Sequence, residues 1–63
     1  MMNEMALTLH KGDKVRYIDG NVYIVDKVRN DQRFDGTVTI KAHKGSDVIY
    51  YRNAEDFELI WQQ

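Results

Sequence analysis

The chain contains no cysteine and no proline. Without thiols there is neither a disulfide to staple the fold nor a thiolate to hold a soft metal. Without proline, every tight turn falls to glycine, asparagine or aspartate. Glycine is itself scarce. Its four copies, Gly12, Gly20, Gly36 and Gly45, are spread one to a turn and cannot form a phosphate-cradling loop. No stretch approaches the ~20 apolar residues that cross a bilayer, and Met1–Leu9 lacks the basic start and apolar centre of a secretion signal. No membrane role is expected, and a cytoplasmic location is. An excess of one charge is also missing: nine Lys and Arg against ten Asp and Glu give a net charge of −1. A protein that mainly grips phosphate backbone carries a basic excess, so a nucleic-acid role here would need charge segregated onto one face.

What is present is a globular balance, 43% hydrophobic and 30% charged, in 63 residues. That length allows one domain with a marginal core. The stretch Gly12–Arg29 organises it. Two β-patterned runs, Lys14–Ile18 and Val22–Arg29, flank Asp19-Gly20-Asn21. Asp-Gly between apolar runs is a strong hairpin signal, because glycine takes φ > 0 without a Cβ clash. Val15 and Tyr17 share one face of the first run, and Tyr23 and Val25 the inner face of the second. Val22, Ile24 and Val28 have the other parity, which means either a strand covered on both sides for part of its length or a bulge near Asp26-Lys27. The bulge, which turns Lys27 and Arg29 outward, is the preferred reading.

The rest of the chain reads as short strands. Met1–Thr8 is expected to be a loosely docked arm, with residues 9–63 as the domain. Asn30–Gly36 is a polar loop. Thr37–His43 alternates cleanly, with Val38, Ile40 and Ala42 on one side and Thr37, Thr39, Lys41 and His43 on the other. Lys44–Asp47 is a turn, and Val48–Arg52 a fourth strand. Asn53–Phe57 reads as one helical turn with Asn53 as N-cap and Asp56 as its capping partner. Leu59–Trp61 closes the chain. The connectors are too short for parallel crossovers, so the sheet must be antiparallel. The expected class is all-β: a five-stranded antiparallel small barrel with a helical turn before the last strand.

This layout resembles a small Src-homology-3-like (SH3-like) barrel. The resemblance covers Leu9–Trp61 and rests on Gly12-Asp13-Lys14-Val15 at the first strand, the short Asp19-Gly20 turn, and Asn53–Phe57 before Glu58-Leu59-Ile60. The short first turn is more similar to the Tudor and KOW groups than to signalling SH3 domains, whose long first loop and aromatic-acidic motif are absent. Length and layout are also similar to short accessory proteins of phages and prophages, which implies a module that modulates a host factor.

The candidate site follows from the faces. Lys27 and Arg29 are expected near Thr37 and Thr39, with Lys41 and His43 continuing the outer face and Arg33 in the loop. Such a stripe suits phosphate or an acidic protein surface. It is equally the ordinary solvated side of a sheet, where lysines deter strand addition. Tyr50 and Tyr51 are neighbours in a strand and are expected on opposite faces, one of them exposed. An exposed tyrosine could stack a base or join an aromatic cage for a methylated cation. Glu55, Asp56 and Glu58 gather at the helical turn without the cleft a catalytic pair requires. His10 and His43 are far apart and lack metal-ligand spacing. The reading is therefore a non-enzymatic interaction module without cofactor or metal. Lys27, Arg29, Arg33, Lys41, His43, Tyr50 and Tyr51 form its partner-binding set. A protein partner is favoured, nucleic acid is the alternative, and edge strands leave room for a homodimer.

Overall fold

The structure is a computed structural model that describes residues 1–31 and 36–63. The elements are α1 (Asn3–Ala6), β1 (Lys14–Tyr17), β2 (Val22–Asp31), β3 (Thr37–Lys44), β4 (Asp47–Asn53), a 3-10 turn (Ala54–Asp56) and β5 (Phe57–Trp61). All strand pairs are antiparallel, in the order β4-β3-β2-β1-β5. The all-β class, the five strands and the 3-10 turn before the last strand are as the sequence predicts, in an arrangement compatible with an SH3-like fold. Closure is not: β4 and β5 remain the two edges among the described residues, so the sheet is coiled but open.

The β1–β2 hairpin forms where the Asp-Gly pair predicts it. Gly20 takes φ +86° and donates its N–H to the Tyr17 carbonyl at 2.9 Å. Asp19 locks the turn further. Its carboxylate accepts the Asn21 backbone N–H at 2.9 Å and the Tyr23 hydroxyl at 2.6 Å. The Tyr23 bond, followed by the Asn21 amide, holds the Asp19 carboxyl below its ordinary range, while the same bond pushes the Tyr23 phenol up.

The concave side of the sheet holds the core. Val15, Val25, Val38, Ile40, Ala42, Ala54 and Phe57 are almost wholly buried, with Tyr23 beside them. Tyr17 is half-buried and packs edge-on to Tyr23 and tilted against Phe57, with ring centroids 6.1 and 4.9 Å apart. Residues Asn3–Ala6, expected within a loose arm, make a helical turn that sets Ala6 into this core, and Leu9 follows it. Short apolar side chains at the right spacing give this segment something to bury, which a free arm would lack.

Asp13 is the one charged side chain buried among the described residues. It is satisfied by backbone. Its two oxygens accept the N–H groups of His10 at 2.8 Å and Gln63 at 3.1 Å, which joins the turn before β1 to the residue after β5. The His10 amide lowers its pKa most. Burial works against this, and the Gln63 amide and the charge of His10 add to the lowering.

Some local details differ from expectation. Most strands run one or two residues beyond their predicted ends, because ladder bonds continue past the apolar pattern. Asn53 stands at the N-cap of the 3-10 turn, yet its side chain makes no capping bond. It is still a ladder residue, opposite Thr39 at the end of β4, so pairing rather than capping sets its direction.

Candidate functional site

Three register shifts shape the convex side of the sheet. In β2, Val25 pairs with Ala42 and Lys27 with Lys41, leaving Asp26 extra. In β4, Arg52 pairs with Ile40 and Ile49 with Ala42, so Tyr50 and Tyr51 together oppose Lys41. In β5, Leu59 pairs with Val15 and Trp61 with Lys14, leaving Ile60 extra. Each is a bulge, where two residues on one strand face one on its neighbour. In each, two successive side chains lie on the convex side.

The first bulge is the parity switch the sequence predicts. Val28 returns to the concave side opposite Ile40, while Lys27 and Arg29 point outward, opposite Lys41 and Thr39. Thr37 lies instead opposite Asp31. The second bulge corrects the expectation for the tyrosines. An unbroken strand would send Tyr50 and Tyr51 to opposite faces. Here the extra residue keeps both on the convex side. Tyr51 meets the irregularity with φ +52°, the single non-glycine residue at positive φ among those described. Such a conformation costs an L-residue roughly 1–2 kcal/mol.

The two tyrosines each carry a cation. The Arg29 guanidinium carbon stands 3.8 Å from the Tyr51 ring centroid, and the Lys41 ammonium 5.2 Å from that of Tyr50. Arg29, Lys41, Tyr50 and Tyr51 thus form one contiguous patch over three strands. Tyr50 is largely exposed and Tyr51 half-buried. Lys27 borders the patch on β2. Arg33 lies outside the described residues.

His43 belongs to the same face but is already engaged. Its Nδ1–H donates to the Asp26 carboxylate, at 2.7 and 2.8 Å to the two oxygens. A carboxylate can only accept, so this bond fixes the proton on Nδ1. Asp26, which the sequence reading left out of the site, sits inside the cationic stripe. The two residues are 17 apart in the chain, so no local spacing advertises the pair. Beside it a shallow groove of about 500 Å³ is lined by Lys11, Lys27, Lys41, His43, Ser46 and Tyr50, among others. A larger open depression, about 640 Å³ beside α1, is lined by Glu55 but by none of the partner-binding set.

The remaining charged groups suit solvent exposure. Arg16 and Glu58 meet across β1 and β5 at 4.0 Å with both side chains exposed, a contact worth little in water. Among the described residues there is no cluster of His, Asp and Glu with the makings of a metal site. Among the described residues no helix is long and apolar enough to cross a membrane. No protein-family model, curated protein or solved structure matches this chain.

Proposed function

We propose that this chain is a non-enzymatic interaction module that binds a protein partner through the convex face of β2, β3 and β4. Arg29, Lys41 and Tyr51 form the centre of the contact, and Lys27, His43 and Tyr50 its surround. The observation that carries this reading is the Tyr50–Tyr51 bulge. It spends backbone strain to place two rings on one side, each against a cation. Strain of this kind persists where the surrounding structure holds it, and it concentrates at functional positions. Tyrosine and arginine are also the residue types that anchor protein interfaces, because they offer large contact area with few rotatable bonds. An acidic partner surface would complement the exposed cations.

Within the SH3-like folds, the short first turn supports kinship with the Tudor and KOW groups in shape rather than in ligand. A methyl-cation cage needs several free ring faces, and here the Arg29 guanidinium lies against Tyr51 and leaves Tyr50 as the open ring of the pair. The small size supports a role like that of phage or prophage accessory proteins, acting on a host factor in the cytoplasm. Pull-down with the native protein, Arg29→Glu, Tyr51→Ala and a Glu4→Gln control on exposed α1 tests the surface. Loss with the first two and retention with the control is expected. A partner held equally by all four proteins refutes the assignment.

A second reading, nucleic acid on the same face, draws on the exposed Tyr50 ring beside Lys27, Arg29 and Lys41. Its signature is oligonucleotide binding that falls steeply as salt rises. Absence of binding at low salt removes it.

A further inference from the structure

The registers place a second group of side chains on the convex face, outside the tyrosine patch. One row runs across all five strands: Trp61 on β5, Lys14 on β1, Ile24 on β2, His43 on β3 and Val48 on β4. Trp61 is 51% exposed, Ile24 37% and Val48 41%. Val22 lies one step along β2 on the same side, and Ile60 joins Trp61 through the third bulge; both are exposed. Single exposed apolar residues need no explanation, but an aligned set on one face marks a surface that expects company. The concave core is already complete without these side chains.

The occupant follows from charge. Lys14, Lys27 and Lys41 stand on the same face, and the carboxylates of Asp26 and Glu58 there are already engaged, Asp26 by His43 and Glu58 by Arg16 at 4.0 Å. A second copy docked face to face would bring two lysine-rich faces together, which opposes self-association. A partner with carboxylates around apolar anchors meets no such conflict. We propose that the convex face from β5 to β4 is a single docking surface for an acidic, amphipathic protein segment. Trp61, Ile24 and Val48 take its apolar side chains, and Lys14, Lys27 and Lys41 its carboxylates. This rests on the protein-binding reading above and extends it from three strands to five.

Trp61 is the sole tryptophan of the sequence, so its emission reports occupancy of the β5 end directly. The full chain is titrated with four probes: a synthetic peptide alternating Glu with Leu and Phe, its Lys counterpart, a thymidylate 20-mer, and phosphatidylglycerol vesicles. The acidic peptide is expected to shift Trp61 emission to the blue, less so as salt rises, and the Lys peptide to leave it unchanged. Ile24→Thr, a strand-compatible change at an exposed position, weakens that binding by about fivefold, the scale of one aliphatic side chain left out of contact. Lys14→Glu weakens it about tenfold at low salt. A silent acidic peptide, or a shift produced only by the oligonucleotide or the vesicles, overturns the proposal.

Arg29→Glu in the same titration separates the two readings, with circular dichroism verifying that each variant is folded. Binding lost with Arg29→Glu but indifferent to Ile24→Thr and Lys14→Glu leaves the tyrosine patch standing and overturns its extension. The reverse pattern supports the five-strand surface and removes Arg29 from its centre.

Discussion

The left-handed backbone at Tyr51 makes a prediction that inverts an ordinary rule. In a strand, alanine is more stable than glycine by about 0.5–1 kcal/mol, because glycine loses more freedom on folding. At φ +52° the order should reverse. Tyr51→Ala and Tyr51→Gly both remove the ring and its contact with Arg29, so their difference isolates the backbone. Glycine escapes the roughly 1–2 kcal/mol penalty of the left-handed region but keeps its entropic cost, for a net advantage of about 0.5–1 kcal/mol. For a 63-residue chain the unfolding entropy near the midpoint is roughly 0.13 kcal/mol per kelvin, so Tyr51→Gly should melt about 4–8 °C above Tyr51→Ala. The same two substitutions at Tyr50 serve as control and should follow the ordinary order, alanine above glycine. Thermal and urea melts followed by circular dichroism suffice. Equal midpoints at position 51, or alanine above glycine at both positions, would refute the strained bulge and with it the shared face of the two rings.

Other consequences are as direct. Ile40 is fully buried, and Ile40→Ala should cost about 2–5 kcal/mol, as much as the ~3–5 kcal/mol a core of this size supplies. Urea titration should find that variant largely unfolded at 37 °C. The lowered carboxyls of Asp13 and Asp19 add stability that is present above their ordinary value of 3.8 and lost as pH falls through their folded values. The raised phenol of Tyr23 works at the other end: its contribution is present below its ordinary value of 10.0 and lost as pH rises through the folded value. Denaturation midpoints should therefore fall on both flanks, and Tyr23→Phe should flatten the alkaline one; an unchanged alkaline slope would contradict the Asp19–Tyr23 bond. Asp13→Ala removes the acceptor for the amides of His10 and Gln63, so hydrogen exchange should quicken at those two amides while Ile40 stays protected.

Much of the fold could be read because apolar parity was marked on both sides of each decision. Tyr23 and Val25 before Asp26, and Val28 after it, mark the first bulge in the sequence. The second bulge left no such mark. Ile49 precedes the tyrosines, but the concave position after them is Arg52, whose charge conceals its side. The third lies so near the last residue that no later side chain records the shift. Long-range polar pairs were hidden for a different reason. Asp13 is satisfied by an amide fifty residues away, and Asp26 by a histidine on another strand. Such bonds depend on where the sheet brings segments together, and sequence spacing carries no trace of that. The helical turn at Asn3–Ala6 left no mark in the sequence because its order comes from docking Ala6 against the sheet, not from its own propensity.

The three bulges also bear on how the chain can change in length. Each inserts its extra residue on the convex side, in β2 and β4 between concave residues that keep their partners and in β5 just after concave Leu59. Deleting Asp26 would leave Val25 facing in, Lys27 facing out and Val28 facing in, with the regular alternation restored. The same holds for one of the Tyr50–Tyr51 pair and for Ile60. Strands usually cannot gain or lose a single residue without turning themselves inside out. Here β2, β4 and β5 each contain one place where they can. The core is thereby uncoupled from the composition of the outer face, which can be revised one residue at a time while the interior keeps its register.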